Sequence, residues 1–127
     1  MTFRFKLKAI VLAIFLSASA ALAGEADVLN VVITATGVDV YRFDVTVSHA
    51  DEGWDHYANA FEILDSEGNI LGVRTLLHPH VNEQPFTRSL GNVRIRAGVT
   101  KIIVRAVDSV HLTGGEQIEL DWPLTEK

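Results

Sequence analysis

The sequence predicts an all-β protein, an immunoglobulin-like or fibronectin-like antiparallel sandwich of about seven strands that follows a cleaved signal peptide. Three observations carry this. Apolar and polar residues alternate with a period of two along several segments, and turn signals rich in Gly, Asp and Asn recur every roughly 8–12 residues. No stretch after residue 23 shows a 3.6-residue period.

Residues 1–23 read as the leader. Arg4, Lys6 and Lys8 make a basic start, Ala9 to Leu16 is an unbroken apolar run, and Ala21-Leu22-Ala23 fits the small-x-small pattern of a cleavage site. An apolar stretch of about 15 residues is shorter than the roughly 20 that cross a bilayer, so a cleaved leader is expected and not a membrane anchor. The chain has no cysteine, hence none to carry a lipid. Export to the periplasm or medium is the expected localisation, with residues 24–127 forming a single domain.

The strands follow in order. Leu29, Val31, Ile33 and Ala35 are placed inward against Asn30, Thr34 and Thr36, and Gly37-Val38-Asp39 turns the chain. Tyr41, Phe43, Val45 and Val47 alternate with Arg42, Asp44, Thr46 and Ser48, and His49 continues the inward parity. Tyr57 to Leu64 and Ile70 to Leu77 form a hairpin about the turn Asp65-Ser66-Glu67-Gly68-Asn69. His78-Pro79-His80 ends its second arm, because proline donates nothing to a ladder. Phe86 to Leu90 and Val93 to Arg96 are short strand candidates. Ile102, Val104 and Ala106, then Ile118, Leu120 and Trp122, give the inward faces of the last two strands.

Composition narrows the function classes. The leader holds three of the 11 basic residues and none of the 16 acidic ones, leaving 8 against 16, a net charge of −8, in the mature chain. So acidic a surface argues against nucleic acid as a partner. With no cysteine, and with Met1 leaving in the leader, any metal would be held by nitrogen and oxygen.

The five histidines carry the functional expectation. If the strands run up and down, His49, His56, His78, His80 and His111 all emerge at one pole with Asp108; for His111 this depends on how the chain crosses between Phe86 and Lys101. Imidazole suits zinc and copper(II), and three rings with a carboxylate or water complete a site. His78-x-His80 puts both rings on one side of an extended chain, so His78, His80 and His111 are the first expected ligands, then His49 and His56, with Asp108 beside them. Asp51, Asp55 and Asp108 can ligate or hold a ring by its second nitrogen, and Trp54 and Tyr57 are expected to wall the site. Against this, each histidine alone is as readily a surface or hydrogen-bonding residue.

The strings Gly53-Trp54-Asp55-His56-Tyr57-Ala58, Leu76-Leu77-His78-Pro79-His80-Val81 and Asp108-Ser109-Val110-His111 resemble those of a group of small exported bacterial β-sandwich proteins. The resemblance implies an exported setting and no chemistry. The expected function is a periplasmic protein that binds copper or zinc for buffering or delivery, with a metal ion and another periplasmic protein as partners and no membrane association after cleavage. The alternative is a metal-free module that binds a protein or glycan with the same loops. No nucleophile–base pair or catalytic motif points to an enzyme.

Overall fold

The computed structural model describes residues 9–12 and 24–124. The predicted leader lies outside the described residues except for Ala9–Leu12, which forms strand β1 and pairs antiparallel with the next strand, Val11 opposite Val32. The other strands are β2 (Asp27–Gly37), β3 (Val40–Ser48), β4 (Ala58–Asp65), β5 (Ile70–Thr75), β6 (Phe86–Arg94), β7 (Lys101–Asp108) and β8 (Ile118–Asp121). No helix among the described residues is long and apolar enough to cross a membrane.

Strands β1-β2-β3-β6 make one sheet and β5-β4-β7-β8 the other, with every pairing antiparallel. This is the predicted sandwich, seven strands from β2 onward. The fourth of the seven, β5, pairs with the third; in an immunoglobulin constant domain the fourth strand joins the opposite sheet, so the arrangement is the fibronectin-like one.

Alternation places the core. Val31, Ile33, Phe43, Val45 and Val47 from the first sheet meet Phe61, Ile63, Ile102, Val104, Ile118 and Leu120 from the second, all buried. Each such side chain contributes about 1.5–3 kcal/mol on leaving water, which lets the sandwich stand without disulfides. Trp122 closes one side with its ring edge-on to Tyr41, 4.8 Å away.

Two β-bulges depart from the sequence reading. A register shift between Val28 and Asn30 puts Val28, and not Leu29, into the core. The two short strands expected between Phe86 and Arg96 are one, β6 (Phe86–Arg94): Asn92 takes a left-handed conformation (φ 56°) where the register shifts opposite Tyr41 and Phe43. A single descending β6 makes β7 ascend. The ends of β3 and β7, the start of β4 and the loop after β5 therefore share one pole, and His111 comes to the same end as His49 and His56. β5 stops at Thr75, two residues before the predicted end, so His78-Pro79-His80 belongs to a loop and not to an extended strand end.

Candidate metal centre

The loop from His49 to Tyr57 folds back on itself. Asp51 N–H donates to His49 O (2.9 Å), Glu52 N–H to His56 O (2.8 Å) and His56 N–H to Gly53 O (3.4 Å). Gly53 supplies the left-handed residue this closure needs (φ 86°). The result places His49 and His56, seven residues apart, with their Nε2 atoms 3.1 Å apart and both rings buried.

Asp108 arrives from the end of β7. Its carboxylate is fully buried, and its Oδ2 lies 2.6 Å from His56 Nε2, 2.9 Å from His111 Nδ1 and 3.8 Å from His49 Nε2. The backbone N–H of His111 also donates to this carboxylate, and a reverse bond from Leu112 N–H to Asp108 O closes the turn. Burial pushes the Asp108 pKa up, but the backbone and ring hydrogen bonds from His111, the bond from His56 and the charge of His111 outweigh it and hold the carboxyl below its ordinary range. Asp108 is thus an anion at neutral pH.

Asp51 acts behind His49. Its Oδ1 accepts from His49 Nδ1 (2.6 Å) and from Ala58 N–H (3.0 Å), and its Oδ2 accepts from His80 N–H (2.7 Å). This contact fixes the His49 tautomer with a proton on Nδ1, so that Nε2 is the nitrogen turned toward His56 and Asp108. Nε2 also lies 2.9 Å from Gly24 O. A neutral ring cannot present a lone pair to a carbonyl oxygen at that distance favourably. Either a proton or another cation must stand between them.

Charge points the same way. The Asp51 and Asp108 side chains are both wholly buried, and among the described residues they meet imidazoles and backbone N–H groups, not Lys or Arg. Two buried carboxylates require positive charge beside them, which protonated rings or a bound cation can supply. His49 Nε2, His56 Nε2 and Asp108 Oδ2 are the converging donors, all within 4.8 Å of one another. His111, with its side chain 37% exposed, forms the solvent side of the group, its ring 4.9 Å from that of His56.

His78 and His80 stand apart from this group. Their rings adjoin, 4.6 Å between centroids, but His80 lies flat on Phe86 (4.0 Å, 14°) and its Nε2 accepts from the Arg88 guanidinium (2.9 Å). The accepting nitrogen is therefore engaged, and Nδ1 is buried with no hydrogen-bond partner among the described residues. His80 reaches the centre through its backbone, its N–H donating to Asp51 and its carbonyl accepting from Gln84. The order of ligands expected from sequence, with His78 and His80 first, differs from the order the geometry gives, with His49, His56 and Asp108 first. The two rings lie side by side as their spacing predicts, but stacking on Phe86 and the hydrogen bond from Arg88 hold His80 away from the converging donors. Asp55 is absent from the converging set, and Trp54, expected as a wall, is 67% exposed with its ring edge-on to Tyr57.

Three contributors were not singled out for the site in the sequence. Gly24 brings its backbone carbonyl to His49. Gln84 takes His49 N–H on its Oε1 (3.0 Å) and donates to His80 O (3.0 Å), tying two loops together. Arg88 occupies His80. A glutamine preceding a proline after a histidine loop was the available hint for Gln84; backbone groups leave none.

No family model matches the chain, and no solved structure matches it. The chain is 37% identical over 97 residues to a protein of Halomicrobium mukohataei named "Putative lipoprotein", a match covering 76% of this chain and 47% of that one. The chain thus spans about half the length of this relative, whose name states no activity.

Proposed function

We propose that this is an exported metal-binding protein that holds copper(II) or zinc through His49, His56 and Asp108, with Asp51 orienting His49 and His111 at the open edge, and that it buffers or delivers the ion in the periplasm. One observation carries the reading. Metal–ligand bonds of about 2.0–2.1 Å at tetrahedral angles separate donor atoms by about 3.3 Å, and the three donor pairs here stand at 2.6, 3.1 and 3.8 Å. Small shifts bring all three to one ion. The donor chemistry agrees, since imidazole and carboxylate without thiolate suit zinc and copper(II). The carboxylate–histidine contact of Asp51 is the usual support behind a ligating ring. The reading rests on export, which the leader-like start of the sequence and the name of the relative support.

Calorimetric titration of the processed protein with Cu(II) and Zn(II), repeated on His49→Ala/His56→Ala, tests it. Stoichiometric binding that the double variant loses is the expected result. Equal, weak binding by both proteins would dispose of the site.

A second reading is favoured by one feature. Trp54, Leu77, Val81, Val110 and Leu112 are each more than half exposed on the loops of the histidine pole, and apolar side chains gathered around loops suit a protein or glycan partner. Pull-down from a periplasmic extract with and without chelator separates the two, because metal-free recognition is indifferent to chelation.

A further inference from the structure

We infer that the new N-terminus created by leader removal is itself a ligand of the metal centre: the α-amine and carbonyl oxygen of Gly24 chelate the ion held by His49, His56 and Asp108. This rests on the metal-binding reading above and on processing between Ala23 and Gly24. In that step water hydrolyses the Ala23–Gly24 peptide bond, leaving a carboxylate on Ala23 and a primary amine on Gly24.

Position is the first argument. Gly24 O lies 2.9 Å from His49 Nε2. Two ligands at right angles on one ion, each about 2.05 Å away, are separated by about 2.9 Å. The α-nitrogen and carbonyl oxygen of a single residue close a five-membered ring on a metal, so an ion within reach of Gly24 O is also within reach of the amine.

The second argument is that this start of the domain is held in place, where most chain ends fray. Ala26 is buried. Val28 N–H donates to Glu116 O (2.8 Å), and Glu116 N–H donates back to the Asp27 carboxylate (2.8 Å). Gly115 presses so closely on this segment that a Cβ there would stand 2.1 Å from Ala26 O. A glycine at this position permits the two backbones to meet. The loop after β7 thus clamps residues 25–28 and delivers Gly24 to His49.

Chemistry is the third. His49 Nε2 and Gly24 O face each other as two acceptors once Asp51 holds the His49 proton on Nδ1, and a cation relieves that opposition. A free α-amine, once its proton is displaced, offers a metal a nitrogen lone pair that a peptide nitrogen ties up in amide resonance. The centre would therefore be completed only after export and processing, and the unprocessed precursor would hold the ion without its amine ligand.

The test uses the full precursor, exported and processed by the host, beside a precursor with one alanine inserted after Ala23 so that its product begins one residue before Gly24. Mass spectrometry reads both N-termini, and Cu(II) is titrated into each by calorimetry in two buffers of different ionisation enthalpy, with electron paramagnetic resonance spectra of the loaded forms. The Gly24-starting protein is expected to bind at least about 10-fold more tightly, to release one more proton and to show one more nitrogen donor. Processing at another residue, or identical affinity, proton count and spectrum for the two products, overturns the inference. His49→Ala/His56→Ala in the Gly24-starting form separates the two claims. If it loses binding while the inserted alanine changes nothing, the histidine site stands and the amine ligand falls. If it binds as tightly as before, the ion is held elsewhere and both claims fall.

Discussion

His56 Nε2 and Asp108 Oδ2, 52 residues apart in sequence, meet at 2.6 Å inside the pole of the sandwich. The contact joins the loop after β3 to the end of β7, and it turns a scatter of histidines into one buried group around a single carboxylate oxygen. Asp108→Asn keeps the shape and removes the charge. The expected outcome is a loss of Cu(II) or Zn(II) affinity of at least 100-fold by calorimetry; affinity within about 3-fold of the parent would argue that Asp108 is only a hydrogen-bond acceptor.

Asp51 tests the support behind the ligands. Replacing it by alanine strips His49 of its Nδ1 acceptor and leaves the N–H groups of Ala58 and His80 buried and unpaired. Each unsatisfied buried group costs about 1–3 kcal/mol, so Asp51→Ala is expected to lose about 2–4 kcal/mol in chemical denaturation. Metal affinity is expected to fall by roughly 10–100-fold as His49 loses its orientation. A variant of full stability with full affinity would show that the 2.6 Å contact does neither.

Much of this was legible in the sequence. Period-two alternation from Phe43 to Val47 and from Ile102 to Ala106 gave inward faces that are buried, because side-chain parity in a strand is set by the backbone alone. The same parity carried His49 inward, and Asp51 was recognised as a group able to hold a ring. What failed depended on departures from regularity. The bulge after Val28 exchanged Val28 for Leu29, and the left-handed Asn92 joined two apparent strands into one; a bulge inserts a residue without marking the hydrophobic pattern. The preference for His78 and His80 failed to anticipate Arg88, since a guanidinium on the neighbouring β6 is a tertiary contact with no local trace.

Ligand binding should raise stability only through the histidine group. A metal at 100 times its dissociation constant stabilises by about 2.7 kcal/mol, which in a domain of this size moves the melting temperature by roughly 10–20 °C. His78→Ala should retain that shift, while His49→Ala and His56→Ala should lose it, and chelator should reverse it. An unshifted melt of the parent protein at saturating Cu(II) and Zn(II) would contradict the assignment.

His80 sets a pH dependence that is separate from the metal ligands. Burial of its ring lowers the pKa first, the charges of Arg88 and His78 lower it further, and the opposing pull of Asp51 and Glu83 is smaller, so the folded ring titrates below the ordinary 6.5. The unfolded chain then takes up this proton before the folded one does. The stability from neutral His80 is fully present above pH 6.5 and is lost as the pH falls from there through the lowered folded value. Ring proton chemical shifts should report the low pKa directly. In metal-free protein, Arg88→Met should move it upward and flatten the decline in denaturation midpoint between pH 7.5 and 5.5. The same substitution should leave the burial contribution in place, so the value should stop short of 6.5. A His80 ring that titrates at or above 6.5 in the parent protein would show that Arg88 does not engage Nε2 in solution, and would return His80 to the set of available ligands.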